Sequence, residues 1–224
     1  MTAPVAGGPL GEPVEAARPS PWNLPNALTL LRIALVPVVA FALAADGGGD
    51  AGWRLTAFAV FVLAMATDRL DGELARRRGL ITNFGIVADP IADKALIGTV
   101  LLVLSAQGRL PWWVTVVVLV RELGITALRF VVIRHGIMPA SRGGKLKTTL
   151  QSLALALYLL PLEVWFGPWA GGLAGVVMAL AVLVTVVTGL DYVQQAYHLR
   201  EGSARTAERR AAAAPGKSAG PTRP

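Results

Sequence analysis

The sequence predicts an all-α integral membrane protein, a bundle of six transmembrane helices. Three observations predict it. Of 224 residues, 54% are hydrophobic and only 16% charged, with a mean hydropathy of +0.56, whereas a soluble domain carries about 25% charged residues. The apolar residues gather into runs of roughly 20, the length a helix needs to cross the hydrocarbon core. The Lys and Arg clusters fall in alternate loops, as cytoplasmic loops require. An open sheet is excluded, because backbone groups in lipid must be satisfied within the segment. The absence of cysteine excludes disulfides and thiolate metal sites. The net charge of +7 sits at the ends of apolar runs. It therefore reads as topology and contact with anionic lipid headgroups, with no nucleic acid as partner.

Residues 1–20, rich in Pro, Gly and Ala, read as a disordered tail. The six-helix domain spans 21–197. Trp22 suits an interfacial anchor, and Asn26 is a candidate cap for the first span, 27–45. That span is about 28 Å long at the helical rise, and Arg32 interrupts its apolar character. The second apolar run, 52–67, is too short alone. It crosses only if the helix continues through Asp68 and Asp71 to about Arg77, before the basic loop at Arg76, Arg77 and Arg78. The third span, 85–106, begins with Asp89 and Asp93, and Pro90 reads as a first-turn residue. The fourth, 111–133, contains Arg121, Glu122 and Arg129. A basic loop leads to the fifth, 146–166, and the sixth covers 169–192. Residues 198–224 read as a disordered basic tail. Basic clusters after spans two and four, and in the C-terminal tail, put both termini and the four aspartates on the cytoplasmic side.

The stretch from Asp68 to Asp93 carries the chemistry. Carboxylates among apolar spans are expensive and mark function. At 100° per residue, Asp68, Asp71, Gly72, Ala75 and Arg76 share one helix face, and Gly85, Asp89 and Asp93 form a column on the next helix. Gly72, Ala75 and Gly85 are small enough for the two helices to approach closely. Four carboxylates around one small volume need a counter-charge. All-oxygen donors favour Mg²⁺, Mn²⁺ or Ca²⁺ over zinc. Two such ions about 4 Å apart clamp a displacement at phosphorus, and Arg76 beside them would bind a phosphate oxygen. The plainer alternative is helix-end aspartates paired with Arg69, Arg76, Arg77, Arg78 and Lys94.

The pattern D-x₂-D-G-x₂-A-R-x₈-G-x₃-D-x₃-D is filled by Asp68, Asp71, Gly72, Ala75, Arg76, Gly85, Asp89 and Asp93. It resembles the CDP-alcohol phosphatidyltransferase family. The resemblance implies a six-helix membrane enzyme, usually a homodimer. Such an enzyme transfers a phosphatidyl or related group from a CDP-linked lipid to an alcohol and releases CMP near the cytoplasmic face. It further implies that Asp68, Asp71, Asp89 and Asp93 hold a dinuclear Mg²⁺ or Mn²⁺ site, with Asp93 also the base that takes the acceptor's proton. Asn26, Thr29, Gly72, Arg76 and Thr82 are implied as contacts to CDP-diacylglycerol.

Further stretches, among them NLPNALTLLR (23–32), PWWVTVVVLVREL (111–123) and GGKLKTTLQ (143–151), resemble the bacterial branch that makes phosphatidylglycerol phosphate. They imply a plasma (inner) membrane enzyme whose acceptor is sn-glycerol 3-phosphate. A phosphorylated acceptor also suits Arg121, Arg129, Lys145 and Lys147 as donors to a second phosphate dianion. Glu122 points about 100° away from Arg121 and need not pair with it. Inositol phosphate would use the same cations. Phosphatidylglycerol (in cardiolipin synthesis) or serine would not need them. A divalent-cation transporter is a distant alternative, disfavoured by the basic residues beside the acids.

Overall fold

The computed structural model describes residues 23–78, 82–132 and 142–213. The predicted N-terminal tail, Trp22 and the last residues of the C-terminal tail lie outside them. The described residues form seven α-helices and a short 3₁₀ turn, with no strand among them: α1 (Leu24–Ala44), the turn (Ala45–Gly48), α2 (Ala51–Arg78), α3 (Asn83–Ala106), α4 (Trp112–Val132), α5 (Arg142–Leu159), α6 (Leu162–Phe166) and α7 (Trp169–Ala213).

The first four helices match the expected spans closely, with local corrections. The cap of α1 is Asn23, not Asn26. The Asn23 side chain accepts from the Asn26 backbone N–H at 3.0 Å, and Pro25 occupies the first turn, where a missing N–H is harmless. Thr82 caps α3 by accepting from the Gly85 N–H at 3.1 Å. The helix therefore starts early enough that Pro90 lies inside it, not in its first turn.

The expected fifth span breaks. Proline has no N–H and disfavours helical backbone in the residue before it, so α5 stops at Leu159 ahead of Pro161, and 162–166 forms the separate α6. The last helix is longer than expected. Instead of ending near residue 192, with a disordered tail from 198, α7 is continuous for 45 residues to Ala213. Its distal half is rich in Ala, Arg and Glu, all strong helix formers. At the helical rise it is about 67 Å long, more than twice the hydrocarbon thickness, so one end stands clear of a bilayer.

Helix α1 packs against α2 and α3, while α7 packs against α4 and α5; α3–α4 and α2–α5 contacts join the two groups. The core is made of Val39, Leu43, Phe61, Leu96, Leu104, Val118, Leu155 and Met178, with fully buried Ala57, Ala64, Ala92, Ala154 and Ala181 between helices. Small residues let backbones approach in a medium where hydrophobic burial gives little drive. Large apolar side chains cover the outside, including Phe41, Leu63, Val87, Val120, Leu183 and Leu190. Trp53, Trp112, Trp113, Trp165 and Trp169 are exposed near helix ends. Three stretches are long and apolar enough to cross a membrane by length and composition: Leu24–Gly48, Ala51–Leu74 and Ala170–Tyr197. The protein is a multi-pass membrane protein. Charged residues interrupt α3, α4 and the start of α5.

At the end away from the aspartates, a clasp joins the connections. Arg54, almost fully buried on α2, donates to the Glu163 carboxylate, to the Tyr158 carbonyl at 3.1 Å and to the Leu160 carbonyl at 2.6 Å. Arg109 reaches the same Glu163 at 3.2 Å. The Gln107 side chain donates to the Leu43 carbonyl and lies against Gly48 (φ 80°), where a side chain would both strain the backbone and displace Gln107.

Candidate active site

The start of α1, the end of α2 and the start of α3 meet around one buried guanidinium. Arg32 lies on the ninth residue of α1, about 12 Å along the helix from its start. Its side chain is 0% exposed. Nη1 donates to Asp68 Oδ1 and to Asp93 Oδ1, each at 2.8 Å, and Nη2 donates to Asp71 Oδ2 at 2.5 Å. The fourth aspartate is held by α1 as well. Thr29 Oγ1 lies 2.6 Å from Asp89 Oδ1 and 3.2 Å from the Pro25 carbonyl, and its single proton serves the shorter contact. The helix phase inferred from sequence thus brings all four carboxylates to one place.

Arg32 is the residue the sequence reading missed. It read Arg32 as an interruption of an apolar run. The signal was there: Asn26, Thr29 and Arg32 recur every three residues, which keeps them along one stripe of a helix.

Asp68, Asp71 and Asp89 line a cavity of about 610 Å³ with Arg69, Gly72, Glu73 and Lys145. Asp71 is buried, Asp68 partly so, and Asp93, outside the cavity lining, is 49% exposed. The four carboxylates converge on Arg32 and Thr29. Among the described residues no three acids or histidines stand as a ready-made metal cage. The donor set nonetheless suits a hard cation. Each carboxylate commits one oxygen to Arg32 or Thr29 and keeps another outside that contact. One guanidinium offsets only one of four negative charges. An all-oxygen, charge-deficient group beside an open cavity fits Mg²⁺ or Mn²⁺.

Asn26 and Thr82 are tied to each other as well as to the helix starts. Thr82 Oγ1 donates to Asn26 Oδ1 at 2.9 Å, joining the beginning of α3 to the first turn of α1. Gly85 makes this approach possible: a Cβ there would stand 3.1 Å from Asn26 Oδ1. Asn26 and Thr29 are buried, and Gly72 opens on the cavity. Arg76 lies on α2 and Arg129 on α4, but their side chains fall outside the described residues.

The three expected acceptor cations among the described side chains separate. Lys145 lines the cavity with the aspartates. Arg121 and Lys147 belong to a network between α4, α5 and α7. Arg121 Nε donates to the Thr185 carbonyl at 3.2 Å, Nη2 to Thr188 Oγ1 at 3.0 Å, and the guanidinium stacks over Tyr192 at 5.8 Å. Contrary to the expectation from helix phase, Glu122 pairs with Arg121, at 3.3 Å, and it also accepts from Lys147. Adjacent side chains diverge at Cβ, but both are long enough to curl back to one point. Gln151 joins the same network by donating to Thr185 Oγ1 at 2.9 Å.

Residues 22–187 match the family model for CDP-alcohol phosphatidyltransferases. A probable phosphatidylglycerophosphate synthase of Mycobacterium tuberculosis is 54% identical over 185 residues, covering 83% of this chain and 87% of the relative. A CDP-diacylglycerol–glycerol-3-phosphate 3-phosphatidyltransferase of Bacillus subtilis is 38% identical over 184 residues, covering 76% and 93%. The protein of the same name from Pectobacterium atrosepticum is 36% identical over 187 residues, covering 79% and 96%.

Proposed function

The chain belongs to the CDP-alcohol phosphatidyltransferase family, and we propose that it transfers the phosphatidyl group from CDP-diacylglycerol to sn-glycerol 3-phosphate, giving phosphatidylglycerol phosphate and CMP. The observation that carries this reading is the meeting of Asp68, Asp71, Asp89 and Asp93 beside one cavity at the common end of α1, α2 and α3. The relatives named for this reaction cover most of the chain and support the acceptor.

The residues divide the work. Asp68, Asp71, Asp89 and Asp93 would hold two Mg²⁺ or Mn²⁺ ions. When bound, these supply charge neutralisation and polarise the phosphates of the donor. Asn26, Thr29, Gly72, Arg76 and Thr82 are the residues for the CDP end of the donor. Thr82 and Asn26 act there as a bonded pair that fixes the rim. Asp93, the most exposed of the Arg32-bound acids, is the base that takes the acceptor hydroxyl's proton. Lys145 lies nearest to this chemistry among the cations proposed for the acceptor phosphate. Arg121 and Lys147 are fixed behind it by Glu122 and α7, and Arg129 completes the proposed set. The sequence has no cysteine, and its two histidines, His135 and His198, lie outside the stretch from Asp68 to Asp93, so direct displacement at phosphorus is the simplest route.

The same reading carries six membrane crossings, cytoplasmic termini, a plasma-membrane location, a cytoplasmic-facing site and a homodimer. A panel of acceptors tests the function. Purified protein with CDP-diacylglycerol and Mg²⁺ or Mn²⁺ should release CMP on addition of glycerol 3-phosphate. Release with inositol phosphate, phosphatidylglycerol or serine and none with glycerol 3-phosphate refutes the acceptor.

A further inference from the structure

The geometry points to Arg32 as a positioning residue for metal loading: a buried fork beneath the site that fixes Asp68, Asp71 and Asp93 for cations entering from the cavity. This rests on the reading of the aspartates as a metal site.

The argument starts from burial. Arg32 is 0% exposed and does not line the cavity, whereas Asp68 and Asp71 do. Asp68 and Asp71 thus touch both the guanidinium and the cavity. A cation coming from the cavity meets the acids before it meets Arg32. An arginine inside an apolar helix is costly unless it is matched. Here it is over-matched by three carboxylates from two helices, α2 and α3.

Its shape explains the choice of residue. A planar guanidinium presents separate nitrogens in a rigid fork. Nη1 takes Asp68 and Asp93 from different helices, and Nη2 takes Asp71. An ammonium carries the same charge from a single atom and cannot span three carboxylates in that plane. Nε is buried and has no hydrogen-bond partner among the described residues. Outer partners that orient ligating carboxylates set metal affinity by about 10–100-fold.

The competing possibility is that Arg32 is a place-holder that metal displaces. The two differ in sign. Full-length Arg32→Lys and Arg32→Gln proteins in detergent are titrated with Mn²⁺ alone, without CDP-lipid, and free Mn²⁺ is read by electron paramagnetic resonance. Positioning predicts about 10–100-fold weaker Mn²⁺ binding for Arg32→Lys despite its unchanged charge, with helix content retained. Wild-type or tighter binding in that variant overturns the proposal, and tighter binding in both identifies the place-holder. A wild-type protein that binds no Mn²⁺ defeats the metal reading itself, and Arg32's role with it. Should neither variant fold, isotope-labelled arginine in the wild-type protein decides. Distinct, slowly exchanging Arg32 Nη signals that persist through Mg²⁺ addition support the fork. Their collapse to one averaged signal overturns it.

Discussion

Gly85→Ala tests how tightly α1 and α3 must meet. The added Cβ would stand 3.1 Å from Asn26 Oδ1 and 3.5 Å from Thr82 Oγ1. The first distance is a few tenths of an ångström inside ordinary contact and the second is ordinary contact, so the strain falls on Asn26, which does not move easily. Asn26 is 3% exposed and is bonded to Thr82 at 2.9 Å, while Thr82 caps α3. Overpacking of this kind costs about 1–3 kcal/mol. If Asn26 swings away instead, the lost hydrogen bond costs about 0.5–1.5 kcal/mol, up to about tenfold in binding. The strain falls on the rim proposed for the CDP end, not on the Arg32-bound acids. Thermal unfolding in detergent should therefore shift downward. In a CMP-release assay KM for CDP-diacylglycerol should rise several-fold to about tenfold, with a smaller change in kcat. Unchanged unfolding and unchanged KM would show that the helices do not need this approach. A fall in kcat at constant KM would refute the assignment of the rim to donor binding.

Asp93→Asn should abolish turnover while substantial Mn²⁺ and CDP-lipid binding remains, measured by titration; equal loss of both would make Asp93 chiefly a ligand. Lys145→Met removes the one cation of the proposed acceptor set that lines the cavity; KM for glycerol 3-phosphate should rise at least tenfold while KM for CDP-diacylglycerol stays near wild type, read by varying each substrate in the CMP-release assay. The outer clasp predicts a pH dependence of stability. Burial alone would push the Glu163 carboxyl up, but the hydrogen bond from Arg54 and the charges of Arg54 and Arg109 outweigh it and hold the group below its usual 4.5. A folded value below the unfolded one stabilises above about pH 4.5 and is lost as pH falls through the lower folded value. The wild-type and Glu163→Gln unfolding temperatures should therefore differ at neutral pH and converge in acid, and a constant gap would count against the clasp.

Helix identity was legible because composition and length dominate in a membrane. The extension of α2 through Asp68 and Asp71 followed from counting residues, and the meeting of the acidic pairs followed from helix phase. What escaped depended on the third dimension or on local competition. Pro161 was a visible breaker, but the apolar run continued across it and concealed the end of α5. The helical run beyond residue 197 was hidden by a polar, low-complexity composition that reads equally as a tail. Arg32 could not be assigned from its own helix, because its partners lie 36 to 61 positions away. Glu122 was misjudged because ideal helix angles describe Cβ directions, whereas the ends of long side chains meet wherever charge draws them.

The separation of charge between the two halves of the bundle bears on how one cavity admits two anionic substrates. Around the cavity end of α1, α2 and α3 the charge of the described side chains is negative on balance: Asp68, Asp71, Glu73, Asp89 and Asp93 against Arg32, Arg69 and Lys94. Between α4, α5 and α7 it is positive: Arg121 and Lys147 share a single Glu122, and Lys145 stands at the boundary. On the proposed function, a pyrophosphate in the first region would be held chiefly through added cations, and a phosphate monoester at the boundary by side chains. Two dianions in one low-dielectric space would otherwise repel strongly. Keeping one on metal and the other on protein lets the acceptor hydroxyl approach phosphorus while the two charged ends are neutralised independently. Arg121 and Lys147 are already held by Glu122, Thr185 and Thr188, so on the proposed function the acceptor phosphate would rest chiefly on Lys145, which Lys145→Met tests separately from the likeness to named relatives.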